Sequence, residues 1–504
     1  MVIIAGSGPG PASLVAPELV SWISKSEVIA YDRLAGQDIL ALAPEDAEKL
    51  YVGKKPGAPS RSQDEINQLL IHRCLEGKLV VRLKGGDPMV FGRGAEEAEA
   101  LAEAGCKFRI IPGVTAASAA AASAGIPLTD RRFSSTVALV TGHRAEDESA
   151  PPIDWNALAR IETVVFYMPV ARLRRISDKL IRAGRPAGTP AAVVQNASMP
   201  NQKTVVSTLG ALADDAESAN IKPPALVFVG RVVNIRRRIA WLEKLPLFGQ
   251  TVAIARPIPS DPNLAESLAR QGANVIETPT FRILPTDDLE SLDRALSNLA
   301  EFDWVAFTSA NGVRAALDRL DQLGKDARAF AGVRIAAVGE PTARALAESF
   351  LKADLVPRQF TTMALGQELA TKYDLTGKRV LLLRSSAATA VLATMLRAAG
   401  ALADEVHAYS VELVEHMPER LIQAARAGRL DWVALTSPSS VSELLGRIAA
   451  AGVDVSSVKL AAIGPVTADA IRAAGHRPIV TACPHTVDAL AEAIASYGGA
   501  TSVG

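Results

Sequence analysis

The segment VVRLKGGDP, residues Val80–Pro88, is the most informative part of this chain. It has the pattern of a buried β-strand that runs into a Gly-Gly-Asp-Pro loop. Two adjacent glycines let the backbone come close to a ligand, Asp87 offers a carboxylate at the end of the strand, and Pro88 stops further strand pairing. Beyond FGRG (Phe91–Gly94), a stretch rich in Ala and Glu predicts a helix. Such a loop can also be an ordinary turn, so its meaning depends on the rest of the chain.

Strand-like segments alternate with amphipathic helical segments along the whole chain, which predicts an α/β fold. The first group of predicted strands is Val2–Ala5, Val28–Tyr31, Val80–Leu83, Val137–Thr141 and Val164–Met168. Helices are predicted between them at Gln63–Glu76 and Ala95–Ala104. A second group of strands indicates a separate sheet: Ala191–Gln195, Val205–Thr208 and Ala225–Val229.

The composition argues against several classes of function. Lys and Arg together number 54, as do Asp and Glu, so the neutral chain gives no reason to expect nucleic acid or an anionic membrane as a partner. No signal peptide is expected, because the apolar segment Val2–Ala5 is too short and no basic residues precede it. The scattered cysteines Cys74, Cys106 and Cys483 have no metal-ligand spacing, which indicates reduced thiols, a cytoplasmic location and no metal site.

The chain divides into two halves. A length of 504 residues is typical of about three to four domains. The basic segment Arg231–Lys244 is predicted to be a helix, and a fresh strand follows at Val252–Ala255. We therefore expect the main domain boundary near residue 246.

The second half contains a repeat. DWVAFTS at Asp303–Ser309 recurs as DWVALTS at Asp431–Ser437, an offset of 128, and VAIAR at 252–256 matches VLLLR at 380–384 with the same offset. RIAAVGEPTARAL at 334–346 resembles KLAAIGPVTADAI at 459–471. Three matches in the same order predict two similar α/β lobes, whose ligands bind beyond the carboxyl ends of the strands.

A glycine-rich loop, GSGPG (Gly6–Gly10), follows the first strand. A dinucleotide-binding turn would need a glycine where Pro11 stands, so an NAD- or FAD-dependent oxidoreductase is disfavoured. Instead, about residues 1–243 resemble the tetrapyrrole methylase family, most closely the uroporphyrinogen-III C-methyltransferases. The segments that carry the resemblance are Gly6–Gly10, YDRL (31–34), VGK (52–54), QDEIN (63–67), Val81–Gly94, PGVTAA (112–117), GIPLT (125–129), VTGH (140–143) and FYM (166–168).

This resemblance implies a two-lobed fold with an S-adenosylmethionine site. The residues at the family's cofactor positions are Pro9, Gly85, Gly86, Asp87, Val90, Thr115, Ala116, Met168 and Ala197. The resemblance further implies that Asp32 is the base of the reaction and Lys54 an acid, although Asp32 can also cap the turn that follows its strand. The chain departs from the family pattern at Pro11, Pro169 and Ala197, near the expected cofactor or substrate loops.

Residues 248–497 resemble the uroporphyrinogen-III synthase family. The segments that carry this resemblance are Arg256-Pro257, FTSANGV (307–313), VGEPT (338–342), Tyr409, LTSPSSV (435–441), IGPVT (463–467) and PHTVDAL (484–490). The resemblance implies two interleaved lobes, about 246–283 with 409–504 and about 284–408, joined by strands Thr278–Leu284 and Tyr409–Val414. The implied reaction closes hydroxymethylbilane with loss of water and inverts its last pyrrole ring.

Hydroxyl and cationic side chains in this half are candidates for holding the substrate's carboxylates: Arg256, Ser309, Thr342, Ser437 and Thr467. The alternatives are helix capping for the hydroxyl residues and an ion pair for Arg256. Tyr409 is the catalytic candidate, because a phenol can hydrogen-bond the leaving hydroxyl or place the reacting ring. Its counterpart in the repeat is Phe281, which lacks the hydroxyl, and a packed aromatic ring is the alternative for Tyr409.

We therefore expect a bifunctional cytoplasmic enzyme of porphyrin biosynthesis, on the sirohaem and cobalamin branch. Residues 246–504 would form uroporphyrinogen III, and residues 1–245 would methylate it twice to precorrin-2 with S-adenosylmethionine. The expected partners are small tetrapyrroles and a second copy of the chain, through the methyltransferase half, with no nucleic acid, membrane or metal. Two alternatives stay open: a C-terminal half that binds tetrapyrroles without catalysis, and a methylase that acts on another substrate.

Overall fold

The computed structural model describes residues 1–44, 46–53, 61–142, 152–258, 263–414 and 417–501. The chain forms two compact units. The first comprises Met1–Val252, Glu266–Val275 and the segment from Ala491, and the second comprises Ala253–Ala265 and Ile276–Leu490. Strands and helices alternate through both units, which confirms the predicted α/β fold class.

The first unit begins with a five-stranded sheet. In chain order its strands and helices are β1 Val2–Gly6, α1 Pro17–Ile23, β2 Val28–Tyr31, α2 Gln37–Leu40, β3 Glu48–Tyr51, α3 Gln63–Leu75, β4 Val80–Lys84, α4 Gly94–Glu103, β5 Phe108–Ile111 and α5 Ala116–Ala124. The strand order is β3-β2-β4-β1-β5, and neighbouring strands run parallel. The loops after β1, β2, β4 and β5 therefore meet at one edge of the sheet.

Both faces of this sheet are covered, as is usual for parallel sheets. Ile4 and Val80 pack against α3 and α4 on one face, whereas Ile3 and Val81 pack against α1 on the other. Because strand side chains alternate between faces, the residues two and four places after Val80 share the face that α3 and α4 cover. Two charged side chains, those of Arg82 and Lys84, lie on that buried face.

A second sheet follows in the same unit. Its strands and helices are β6 Val137–Thr141, α6 Trp155–Arg160, β7 Thr163–Tyr167, α7 Leu173–Arg182, β8 Pro190–Gln195, β9 Lys203–Thr208, α8 Leu212–Ser218 and β10 Ala225–Val229. Their order is β6-β7-β10-β8-β9. The sequence grouped β6 and β7 with the first strands, and that grouping is wrong. β7 pairs antiparallel with β10, about sixty residues away, and no local pattern encodes such a partner.

The basic segment at Arg231–Lys244 is not the single helix that the sequence predicted. It consists of a 3-10 turn at Arg231–Ile235, one α-helical turn, α9, at Arg236–Ile239, and a 3-10 turn at Leu242–Lys244. Its adjacent buried valines and its run of arginines fit no single amphipathic face, so a continuous helix could not bury the apolar residues.

Within the described part of the chain, residues from 251 onward form a nine-stranded sheet. The elements from residue 251 onward are β11 Thr251–Ile258, α10 Asn263–Arg270, β12 Asn274–Pro285, α11 Leu289–Ser297, β13 Trp304–Phe307, α12 Ala310–Gln322, β14 Arg334–Ala337, α13 Glu340–Glu348, α14 Thr362–Lys372, β15 Arg379–Ser385, α15 Val391–Ala398, β16 Leu402–Leu413, α16 Glu419–Arg426, β17 Trp432–Leu435, α17 Pro438–Ala450, β18 Lys459–Ala462, α18 Pro465–Ala473, β19 Pro478–Thr481 and α19 Val487–Thr501. The strand order is β14-β13-β15-β16-β12-β11-β17-β18-β19.

The strand order confirms the internal repeat. On one side of the centre the order runs β16, β15, β13, β14, and on the other it runs β12, β11, β17, β18. These are the strands matched in sequence, so the two copies occupy equivalent places around the centre. The long strands β12 and β16 meet there as an antiparallel pair, from Phe281 opposite Leu413 to Pro285 opposite Tyr409.

Candidate active sites

Three loops of the first unit meet backbone to backbone at the carboxyl ends of β1, β4 and β5. A Cβ added to Gly6 would lie 2.5 Å from the Gly86 carbonyl oxygen, and one added to Gly113 would lie 2.2 Å from the same atom. Gly8 and Gly86 exchange two backbone hydrogen bonds, of 3.2 and 2.7 Å. Close approach of the chain requires glycine at these positions. The predicted cofactor residues Gly85 and Gly86 lie where the loops converge.

Asp87 connects two of these loops. Its Oδ1 accepts a hydrogen bond from Met89 N–H at 2.8 Å, and its Oδ2 accepts one from Gly113 N–H at 2.9 Å. Both oxygens therefore bind backbone groups of the protein itself. Asp87 therefore holds the two loops together. Its part in cofactor binding stays a prediction, and the effect would be indirect, through the loops that it orders.

Tyr167, which the sequence did not single out, ties the second sheet to the loop after β5. Its hydroxyl lies 2.6 Å from Thr115 Oγ1 and accepts a hydrogen bond from Ala117 N–H at 3.1 Å. Its ring lies 4.8 Å from that of Phe91. The predicted cofactor residue Thr115 is thus held by a buried tyrosine at the end of β7. The only sequence signal was its place beside Met168 in the FYM segment.

Backbone strain is concentrated around these loops. The non-glycine residues Phe91, Arg93, Met168, Asn196 and Ser198 have positive φ angles of 54°, 58°, 51°, 49° and 67°. Each such residue costs about 1–3 kcal/mol and persists only where the surrounding contacts impose it. Strained residues gather at ligand sites, so their positions favour this edge of the sheet as a binding site.

The remaining predicted cofactor residues lie on the same loops. Val90, Ala116 and Ala197 pack against one apolar cluster, which includes the ring of Tyr167. Pro9 lies in the loop after β1, and Met168 is half exposed at the end of β7. Small and apolar side chains around an open edge suit an adenosine group.

Asp32 lies just after β2, at the same edge. Its Oδ1 accepts a hydrogen bond from Leu34 N–H at 3.1 Å, which is the turn-capping role that the sequence left open. Its Oδ2 lies 3.9 Å from Arg82 Nη2. Asp32 is partly exposed, with 29% of its side chain accessible, so it can reach both the protein interior and a ligand. Lys54, the predicted acid, lies outside the described residues.

In the second unit, the structure brings Tyr409 and Ser309 together. The Tyr409 hydroxyl lies 3.0 Å from Ser309 Oγ, and the tyrosine is buried. Ser309 also accepts a hydrogen bond from Gly312 N–H at 3.0 Å, so it is the N-cap of α12. The predicted capping role of Ser309 is therefore present, and the same oxygen orients the phenol.

The other predicted hydroxyl residues lie at equivalent helix starts. Ser437 is the N-cap of α17, where its Oγ accepts a hydrogen bond from Ser440 N–H at 3.2 Å. Thr342 and Thr467 lie in the first turns of α13 and α18, and each is only 3% exposed. Arg256 belongs to β11, and its side chain lies outside the described part of the chain. Carboxylate binding by these residues stays a prediction.

Two rings that were not singled out from the sequence cover the starts of α13 and α18. A Cβ on Gly339 would lie 3.1 Å from Phe360 Cβ, and one on Gly464 would lie 3.1 Å from His485 Cγ. Phe360 and His485 are 125 residues apart, which is the offset of the repeat in this region. His485 Nδ1 is 2.9 Å from the Ala482 carbonyl oxygen. The repeat could have revealed this pair.

Within the described ranges, no group of three or more His, Cys, Asp or Glu side chains could hold a metal ion. No helix there has both the length and the apolar character that crossing a bilayer requires.

Known proteins match both halves of the chain. Residues 1–213 match the Tetrapyrrole (Corrin/Porphyrin) Methylases, and residues 262–492 match Uroporphyrinogen-III synthase HemD. Porphyrin biosynthesis protein HemD of Ruminiclostridium josui is 35% identical over 499 residues, which are 99% of this chain and 98% of that protein. A uroporphyrinogen-III C-methyltransferase of Bacillus subtilis (strain 168) is 44% identical over 48% of this chain and 94% of its own. The uroporphyrin-III C-methyl transferase of Thermus thermophilus, complexed with S-adenyl homocysteine, covers 46% of this chain and 99% of its own, with 38% identity and a TM-score of 0.41.

Proposed function

The chain belongs to the family of the Ruminiclostridium josui porphyrin biosynthesis protein, and we propose that it catalyses two consecutive reactions of tetrapyrrole biosynthesis. Residues 246–504 close hydroxymethylbilane to uroporphyrinogen III with inversion of the last ring. Residues 1–245 methylate uroporphyrinogen III twice to precorrin-2, with S-adenosylmethionine as the methyl donor.

One observation carries the proposal: a methylase match and a synthase match occur on one chain. The relatives of the first half include proteins named for the C-methylation of uroporphyrinogen III, and the family of the second half is named for making that compound. The product of one half is then the substrate of the other. A C-terminal half that only binds tetrapyrroles would not explain why a methylase is joined to a match for the enzyme that makes its substrate.

In the methyl-transfer half, the protein has to hold the acceptor carbon in line and then take up its proton, because the sulfonium of S-adenosylmethionine already activates the methyl group. Asp32 accepts that proton at Oδ2. Its Oδ1 is already occupied by Leu34 N–H, whereas Oδ2 forms no hydrogen bond with the described residues. Lys54 enters this proposal on the resemblance alone.

In the ring-closing half, Tyr409 assists the departure of the terminal hydroxyl as water. Either oxygen of the Tyr409–Ser309 pair can be the donor; when Ser309 donates, the contact holds the phenol oxygen in place and leaves the phenol O–H for the substrate. The hydroxyls and N-termini of α12 and α17, at equivalent places in the repeat, bind carboxylates of the bilane. Arg256 adds a cation to this set.

Two variants test the assignment of each reaction to its half. Asp32→Asn should abolish methyl transfer to uroporphyrinogen III and leave ring closure intact, whereas Tyr409→Phe should lower the yield of the type III ring and leave methyl transfer intact. Each variant is thus the folding control of the other. The proposal would be contradicted if one variant lost both activities, or if both variants kept both activities.

We also propose a homodimer formed through the first half and a cytoplasmic location. Analytical ultracentrifugation of the full chain tests the dimer, and fractionation of the producing cells tests the location. A monomer across the micromolar range would contradict the first.

A further inference from the structure

A cluster of buried charged side chains lies beside Asp32. Arg82 and Lys84, two residues apart on β4, are 3% and 4% exposed. Glu97 on α4 is completely buried. Charged side chains at this depth are rare in proteins and persist only when they are paired.

Glu97 holds the cluster together. Its Oε1 accepts hydrogen bonds from Lys84 Nζ at 2.6 Å, from Arg82 Nε at 3.2 Å and from Gln63 Nε2 at 3.2 Å. Its Oε2 is also buried and has no hydrogen-bond partner in the described part of the chain. With Nε fixed in this way, the guanidinium of Arg82 directs Nη2 toward Asp32 Oδ2, 3.9 Å away.

The charges balance only when Asp32 is included. Arg82 and Lys84 bring two positive charges, and Glu97 and Asp32 bring two negative charges. Burial lowers the pKa of Lys84, Arg82 lowers it further, and Glu97 and Asp32 raise it, so these groups act on one another. Asp32 is therefore the solvent-facing member of a four-charge network.

Other ionisable side chains lie on β2, beside Asp32 in the sequence, and on the neighbouring strand β3. Tyr31 precedes it on β2, and Arg33 follows it in an exposed position. Tyr51, at the end of β3, has its hydroxyl 2.8 Å from a Cβ placed on Gly53. The family's lysine, Lys54, lies outside the described residues. Solvent screens the charge of an exposed arginine, whereas the buried cluster is shielded from such screening.

We propose that Glu97 and Lys84 are positioning residues of methyl transfer that set the pH range over which Asp32 acts as the base. The inference rests on the methyltransferase function proposed above. Nearby positive charge favours the ionised carboxylate, and nearby negative charge favours the protonated form. Glu97 offsets one of the two cations, Arg82 and Lys84, that lie behind Asp32.

Substitutions that remove one charge at a time test the sign of this effect. Glu97→Gln keeps the shape and the Oε1 acceptor but leaves two buried cations, so the acid limb of the kcat profile should move to lower pH by about one unit. Its kcat should fall by at most about tenfold, because a less basic carboxylate drives proton transfer less strongly. Lys84→Met should move the same limb to higher pH by about one unit. KM for S-adenosylmethionine should stay unchanged in both.

The double variant Glu97→Gln/Lys84→Met restores the balance, and its acid limb should return to the wild-type position. It also remains informative where a single variant fails to fold, as judged by thermal melting of circular dichroism. Glu103→Gln, an exposed position on the same helix α4, is the matched control and should leave the profile unchanged.

The outcomes separate this inference from the function on which it rests. A wild-type chain that methylates no uroporphyrinogen III overturns both. If the wild type is active, two results overturn only the inference. In the first, both single variants fold, and the acid limb of their kcat profiles stays at the wild-type pH or moves in the same direction. In the second, the double variant folds and its acid limb is displaced from the wild-type pH.

Discussion

Replacing Asp87 by alanine removes the carboxylate that joins two loops of the candidate methyl-transfer site. Both of its oxygens accept backbone hydrogen bonds, at 2.8 Å from Met89 and at 2.9 Å from Gly113. Hydrogen bonds to a charged acceptor contribute about 1.5–3 kcal/mol each. The bond to Gly113 crosses between loops, so its loss disorders the edge where the predicted cofactor residues converge. We expect the affinity for S-adenosylhomocysteine to fall by about 2 kcal/mol, or about 30-fold.

Isothermal titration calorimetry with S-adenosylhomocysteine measures this loss. Asp87→Asn keeps one oxygen acceptor and loses the other, so it should lose about 1 kcal/mol, or about fivefold in affinity. Asp64→Ala, at an exposed position on α3, is the control and should bind like the wild type. An unchanged affinity in folded Asp87→Ala would show that the two loops do not depend on this carboxylate.

Tyr409→Phe removes the hydroxyl that lies 3.0 Å from Ser309 Oγ, and it should lower the yield of type III product from hydroxymethylbilane without unfolding the chain. An undiminished yield on chromatography would end the catalytic role of this tyrosine. Ser309→Ala should lower the same yield less, and loss of the α12 cap should cost about 1 kcal/mol of stability in urea unfolding. Tyr167→Phe leaves an N–H of α5 without its acceptor and should destabilise the first unit by about 1–3 kcal/mol; urea curves identical to the wild type would contradict this. Burial raises the pKa of the Cys106 thiol to about 11, so at pH 8 a thiol reagent should modify the exposed Cys483 rapidly and Cys106 only after unfolding; equal rates would count against it.

Much of the fold was predictable because the deciding patterns are local. β1 and β2 appear in the sequence as short apolar runs followed by glycine or aspartate, and β4 as a valine-rich run that leads into two glycines. The structure places all three within one residue of the predicted bounds. The repeat was predictable because each copy has to build the same lobe from its own residues. For the same reason, Ser309 and Ser437 were correctly placed just after matched strands.

The rest depended on contacts between distant segments. Nothing near β7 in the sequence specifies β10 as its partner. Tyr167 was overlooked because its hydroxyl contacts Thr115, on another loop. Glu97 was overlooked because its partners lie on α3 and β4. A glutamate in a helix that is rich in glutamate gives no sign that it is the completely buried one.

We expect one chain to make uroporphyrinogen III and then to methylate it. The most direct measurement is to give the purified full-length protein freshly prepared hydroxymethylbilane, with and without S-adenosylmethionine, and to separate the oxidised products by chromatography. We predict type III uroporphyrin without the methyl donor, and conversion to a dimethylated product with it. Only the spontaneously formed type I ring without the donor, or type III ring that the donor leaves unchanged, would contradict the account.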